Sequence, residues 1–394
     1  GFALYDPAKK SMVCEYQSHK YFTPASNTKL YSFFAGKKIL GDSLPALKYF
    51  VRNDSLFFTG TGDPSFLNLD LEGQHRTYQF LASRKEKLFY VPAQYEGERF
   101  GYGWAWDDYS YYFSAEKSAF PIYGNIVRFN YTKENKSLDI VPSYFEQSLL
   151  VDTTVTEGSR LYRQQEENRF IFYPSVRPRD FSDDIPFRYS DKLMLELLSD
   201  TLKKEVKLLT GVSFDRKKTK MFYSMPSDSL YKRMLQVSDN FMAEHILLMC
   251  SSVLSDTLST DRAIAFVIDS LLADVPDEPV WVDGSGLSRY NLFTPRTMIS
   301  LLIKINAEVP DSTLFELLPA GGKSGTIRNW YKADKPYIFA KTGTLSNNHC
   351  LTGYLITADN KKLLFSFMHN NYPTYSTPVK EAMEKILWKI HETY

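Results

Sequence analysis

Three stretches near the C-terminal end alternate apolar and polar positions: Tyr337-Ile338-Phe339-Ala340 running into Lys341-Thr342-Gly343-Thr344, then Leu351–Thr357, then Leu363–Met368. The polar turns Ser346-Asn347-Asn348 and Asp359-Asn360 separate them, which predicts a meander of β-strands with hairpin connections. Phe2-Ala3-Leu4-Tyr5 is a further strand-like segment. Helical spacing appears in Leu30, Phe33, Phe34 and Ala35, in Leu230–Leu235, in Phe241–Met249, and in Val379, Ala382, Met383, Ile386, Leu387 and Ile390. The polar face of that last stretch mixes Lys380, Glu381, Glu384, Lys385 and Lys389, which favours a helix packed on the sheet over a membrane anchor. Between residues 51 and 224 the pattern changes to short aromatic and β-branched runs: Ser55–Thr59, Leu88–Val91, Ile126–Asn130, Leu149–Thr156 and Arg169–Tyr173. Turn residues punctuate them, as in a mainly β region, with one helix expected over Lys192–Lys207.

Candidate chemistry falls on the helical and meander segments. Ser26-Asn27-Thr28-Lys29 follows Pro24-Ala25 and opens an apolar helix, so Ser26 and Lys29 lie one turn apart on one face. Free N–H groups at such a start can meet a developing anion, and a desolvated Lys29 could take the Ser26 proton. Ser238-Asp239-Asn240 lies in a short loop between two helices, where Ser238 could pass a proton and Asn240 could hold substrate backbone and orient Lys29. Lys341-Thr342-Gly343-Thr344 ends a strand that could pair with an extended peptide. There Lys341 would attract a carboxylate, Gly343 would allow close approach, and the Thr344 amide would join that of Ser26 in an oxyanion hole.

Each string has an ordinary structural reading beside the chemical one. An isolated Ser-x-x-Lys is usually a capping serine with a surface lysine, and Ser-Asp-Asn is a natural helix break with an N-cap. The rival matches Ser114-Ala115-Glu116-Lys117 and Ser229-Leu230-Tyr231-Lys232 lack a helix-start signal and fit the ordinary case. Lys323-Ser324-Gly325 lies in the turn after Pro319-Ala320-Gly321-Gly322, and it fails as a phosphate loop because Leu317 stands where the first glycine is needed.

Ser26 and Ser238 are about twice as far apart along the chain as Ser238 and Lys341. This spacing predicts an insertion after the first helix. The expected fold class is α+β, with residues 1–50 and 225–394 forming one discontinuous catalytic domain, an antiparallel sheet with helices on both sides, and residues 51–224 forming an inserted, mainly β domain.

With its three motifs in this order, the chain resembles the low-molecular-mass class C penicillin-binding proteins of the penicillin-binding protein 4 type. These are D-alanyl-D-alanine carboxypeptidases and endopeptidases of bacterial peptidoglycan. The resemblance extends to Pro24–Leu30, Gly60-Thr61-Gly62-Asp63-Pro64, Trp104-Ala105-Trp106-Asp107-Asp108, Phe113-Ser114-Ala115, Asn125 and Asp283-Gly284-Ser285-Gly286-Leu287-Ser288-Arg289. It departs from the pattern at Ser324, where the family usually has Asp before Gly-Thr. The resemblance implies a DD-peptidase/β-lactamase-like transpeptidase domain and an acyl-enzyme on Ser26. It implies Lys29, Ser238, Asn240 and Lys341 as catalytic partners, and Thr342, Gly343 and Thr344 as substrate-binding residues. It further implies that Asp108 meets the amino group of the peptide's diamino acid; the residues alone equally allow a solvated turn. Expected partners are peptidoglycan peptides and, as covalent inhibitors, β-lactams.

Composition narrows the alternatives. Among 394 residues, 43% are hydrophobic and 24% charged at net +1, which leaves ample core and no nucleic-acid footprint. No run is long enough to span a bilayer, so any membrane contact is expected to be peripheral. Cys14, Cys250 and Cys350 are too scattered for a disulfide framework or zinc site. No His-Glu-x-x-His or Gly-x-Ser-x-Gly pattern occurs, so neither a metal nor another cofactor is expected. An export signal is not visible ahead of Phe2, and an extracytoplasmic, periplasmic or envelope-associated location in a bacterium follows from the resemblance. The competing readings are a β-lactamase and a non-catalytic peptidoglycan- or β-lactam-binding protein.

Overall fold

The computed structural model describes residues 1–176, 178–214 and 218–394. They form two compact units: Gly1–Asp42 with Gly101–Trp104 and Pro226–Tyr394, and Ser43–Phe100 with Ala105–Met225.

The first unit is built on an antiparallel five-stranded sheet in the spatial order Ile338–Leu345, Asn348–Ile356, Lys362–Asn370, Phe2–Asp6, Ser11–Tyr16. The expected meander is present, and Ile338–Leu345 is an edge strand. Because side chains alternate across a strand, the two faces serve different layers. Leu351, Leu355, Leu363 and Phe365 share a core with Met383 and Leu387 of the helix Ser376–Thr393. On the opposite face the Tyr354 hydroxyl donates to Leu302 O in the helix Pro295–Glu308. The C-terminal amphipathic stretch is thus a sheet-packing helix.

The helix Asn240–Leu254 is buried over nearly its whole length, Phe241 to Ser252, with Glu244 and His245 among its otherwise mainly apolar buried residues. Beside it runs Lys29–Ile39, continuous with a 3₁₀ turn at Ala25–Thr28.

The second unit carries the mainly β pattern. A five-stranded sheet has the order Val206–Leu208, Lys87–Tyr90, Ser55–Gly60, Ser43–Arg52, Lys220–Pro226, and two three-stranded sheets accompany it. Its core is aromatic, with Phe58, Phe129, Phe145, Phe170 and Phe187 buried together.

Several local expectations shift. A boundary after residue 50 would cut Ser43–Arg52, whose backbone pairing with Ser55–Gly60 keeps it whole in the second unit. The helix expected over Lys192–Lys207 runs Asp191–Leu202; Lys203 takes a left-handed φ of 50° that ends it, and Val206 then pairs with Leu88. The strand expected over Leu149–Thr156 stops at Val151, where the Asp152 carboxylate accepts from the Thr154 N–H and hydroxyl and closes a turn. Ser114 and Lys117 are both buried in the second unit instead of forming a surface cap. Lys232, by contrast, is exposed and paired with Glu316 at 2.8 Å.

Candidate active site

The site lies within the first unit and begins with a strained turn. Ala25 has φ 48°, an uncommon conformation for a residue with a side chain, and the 3₁₀ turn after it delivers Ser26 to the surface while Asn27, Thr28 and Lys29 are buried. The neighbouring loop can approach this turn because residue 286 is glycine: at φ 80°, a Cβ there would lie 1.9 Å from Ala25 O.

The Lys29 ammonium is completely buried and donates to three acceptors, Ser26 Oγ at 2.9 Å, Asn240 Oδ1 at 2.7 Å and Ser285 O at 2.7 Å. Burial pushes its pKa down to about 8, against the opposing pull of Asp283, Glu244 and Asp239. As a neutral amine it keeps two donors for Asn240 and Ser285 and turns its lone pair to the Ser26 hydroxyl.

Asn240 is the first residue of its helix, which Asp239 caps by accepting from the Met242 N–H at 3.1 Å. The N-cap reading of Ser238-Asp239-Asn240 is met at Asp239, while Asn240 is brought to Lys29 and Ser238 to Lys341. Ser238 has φ 63°, and its hydroxyl receives a 2.8 Å hydrogen bond from Lys341 Nζ. Lys341 Nζ also donates to Thr342 O at 2.8 Å. Burial, helped by the charge on Lys29, holds Lys341 well below the ordinary lysine range.

The edge strand is tied to the nucleophile turn by Asn27 Nδ2, which donates to Lys341 O at 2.9 Å. Gly343 makes the approach possible, because a Cβ there would meet Pro24 O at 2.2 Å and Asn27 N at 2.9 Å. A pocket of about 220 Å³ opens where these elements meet, lined by Ser26, Ser238, Thr342 and Thr344 together with Thr326, Ile327, Trp330, Tyr331, His349 and Lys380. Two hydroxyl contacts shape its wall, Thr326 Oγ1 with Thr342 Oγ1 at 2.7 Å and Thr344 Oγ1 with His349 Nδ1 at 2.8 Å. Burial first, then Lys380 and His369, push the His349 pKa down to about 3, so the ring is neutral.

Ser26, Lys29, Ser238, Asn240, Lys341, Thr342, Gly343 and Thr344 are thus brought together. Asp108 belongs to the second unit, in the 3₁₀ turn Trp106–Ser110, and partial burial with the adjacent Asp107 raises its pKa.

A family model for D-Ala-D-Ala carboxypeptidase 3 (S13) matches residues 1–392. The chain belongs to this family. It is 22% identical over 95% of its length to the D-alanyl-D-alanine carboxypeptidase DacB of Haemophilus influenzae, covering 86% of that protein. With the D-alanyl-D-alanine carboxypeptidase of an Actinomadura species it shares 24% identity over 94% of the chain and 78% of the relative. The crystal structure of penicillin binding protein 4 from H. influenzae superposes with a TM-score of 0.80 at 22% identity, covering 100% of this chain and 96% of that one. A predatory endopeptidase of Bdellovibrio bacteriovorus, solved with an immunity protein, gives 0.54 at 16% identity over 99% and 91% of the two chains. The fold of this S13 member is accordingly that of the DD-peptidases, α+β with an additional β region.

Some contributors have no signature in the sequence. The third acceptor of Lys29 is a backbone carbonyl, Ser285 O, fixed by buried carboxylates: Glu244 accepts from the Ser285 N–H at 2.8 Å, and Asp283 accepts from the N–H groups of Gly286 at 2.8 Å and Ser288 at 2.7 Å. The Asp283–Arg289 segment carries part of the family resemblance, but only the folded loop turns a carbonyl towards the lysine. Nothing local in the sequence marks Thr326, His349 or Lys380 as pocket residues either.

Proposed function

We propose that this S13 carboxypeptidase cleaves the terminal D-Ala-D-Ala bond of peptidoglycan peptides, and the equivalent bond of cross-bridges, through an acyl-enzyme on Ser26. The observation that carries the reading is the buried Lys29 amine, 2.9 Å from Ser26 Oγ with a pKa lowered to about 8. Ser26 Oγ attacks the carbonyl between the two D-alanines while Lys29 accepts its proton. The Ser26 and Thr344 amides hold the oxyanion, a role worth about 3–4 kcal/mol for each donor. The C–N bond breaks as Ser238, held by Lys341, hands its hydroxyl proton to the departing amine and is reprotonated from the lysines, which returns Lys29 to the neutral amine. Water then attacks the ester, Lys29 taking its proton and passing it to Ser26 Oγ as the peptide acid leaves. Asn240 keeps Lys29 aimed at the serine and holds the substrate's backbone, while Thr342 and Thr344 line the path of the peptide beside Gly343.

β-Lactams are expected to acylate the same serine. Related structures include the H. influenzae protein complexed with a β-lactam and a Bdellovibrio endopeptidase acylated by penicillin G. Among the described residues no helix is long and apolar enough to cross a membrane. The substrate calls for work outside the cytoplasmic membrane, in the periplasm or at the envelope.

Intact mass after incubation with penicillin, peptide mapping of the adduct, and release of D-alanine from a stem pentapeptide test the assignment together. A lasting adduct on Ser26, lost in Ser26→Ala, with D-alanine released, supports it. Undiminished labelling of Ser26→Ala removes Ser26 as nucleophile. Rapid turnover of the drug without peptide cleavage makes the protein a β-lactamase, and no adduct and no cleavage make it a binding protein.

A further inference from the structure

The pocket is lined by a cation that the mechanism above does not use. Lys380 lies on the helix Ser376–Thr393, whose mixed polar face looks in the sequence like ordinary solvated surface, yet it forms part of the same wall as Ser26, Thr326, Thr342 and Thr344. The other two lysines of the site are committed: Lys29 to Ser26, Asn240 and Ser285, and Lys341 to Ser238 and Thr342 O. Lys380 Nζ sits 5.7 Å from the centre of the Trp330 ring, and no carboxylate among the described residues lies within ion-pair distance of it. Glu384, one turn further along the helix, instead accepts from the Tyr331 N–H.

An ammonium half removed from water, held on an aromatic face and lacking a counter-charge, is suited to an incoming anion. Its field already reaches the substrate wall, since it helps keep His349 neutral, and His349 holds the Thr344 hydroxyl. The hydroxyls of Thr326 and Thr342 share one proton between them and have a second to offer.

We propose that Lys380, seated on Trp330, binds the free carboxylate of the D-alanine that leaves, and so sets the preference of this enzyme for peptides ending in a free acid. The proposal rests on the Ser26 reading and adds a specificity-determining residue to it.

The test compares two stem peptides that differ only in ending as -D-Ala-D-Ala acid or as its primary amide, using the wild type, Lys380→Met and Lys380→Arg. For Lys380→Met, the acid-to-amide ratio of kcat/KM is expected to fall by about tenfold or more, chiefly through a higher KM for the acid. Lys380→Arg is expected to keep most of the preference, because the charge and the aromatic contact survive. A ratio unchanged in Lys380→Met, with both peptides cleaved, overturns the role of Lys380 and leaves the Ser26 mechanism standing. Wild-type enzyme that cleaves neither peptide overturns both.

Discussion

Raising the pH from 6 to 9 should accelerate acylation of Ser26 by about a hundredfold, because the reacting form of Lys29 is the neutral amine. Complete burial lowers the Lys29 pKa from 10.5 to about 8. That corresponds to roughly 3 kcal/mol of disfavour for the ammonium relative to water. Deprotonation makes the base competent, so activity is small below the folded pKa and present above it. About 1% of the enzyme is competent at pH 6, about a tenth at pH 7, half near pH 8 and about nine-tenths at pH 9. An ordinary lysine would leave the rate still climbing tenfold per pH unit at pH 9. Acid-quenched intact-mass spectrometry of the penicillin adduct, with the second-order rate measured at each pH, gives the midpoint directly. A second arm uses Glu244→Gln. The Glu244 carboxylate helps hold the Lys29 proton and accepts from the Ser285 N–H, and the glutamine amide oxygen can keep the hydrogen bond while losing the charge. The midpoint should then move to lower pH. A profile that is flat from pH 6 to 9, or a midpoint that rises in Glu244→Gln, would refute Lys29 as the titrating base.

Gly343→Ala should destabilise the first unit by about 1–3 kcal/mol and slow acylation, because the new methyl meets Pro24 O and Asn27 N at the join between strand and nucleophile turn; urea unfolding and the adduct rate check the two effects separately. Asp239→Ala removes the cap of the helix Asn240–Leu254 and should cost about 1 kcal/mol in the same unfolding assay, with a change below a few tenths pointing to a replacement cap. Ser26→Ala should eliminate the penicillin adduct while leaving the urea midpoint nearly unchanged, since Ser26 lies at the pocket surface and not in the core.

Periodicity and punctuation were enough to read the meander from Ile338 to Met368, the apolar helix after Ser26 and the loop between two helices at Ser238, because each rests on local alternation or local helix-start chemistry. The Ser26 to Ser238 spacing disclosed an insertion for a similarly simple reason: a gap in chain length survives folding as an extra body. What the sequence left undetermined were boundaries and environments. Lys203 ends a helix by adopting a left-handed backbone, and Val206 becomes a strand residue only because Leu88 lies beside it. Lys117 and Lys380 both read locally as surface lysines, yet folding buries the first and sets the second in the wall of the active-site pocket. Three motifs mark the candidate reactive groups, because the proposed acyl transfer demands particular side chains. Their reactivity was decided in three dimensions: burial lowers Lys29, and the Ser285 carbonyl, Glu244 and Asp283 reach the site from distant parts of the chain. A pKa depends on the groups that folding gathers around a side chain, and no local pattern of residues can specify that gathering.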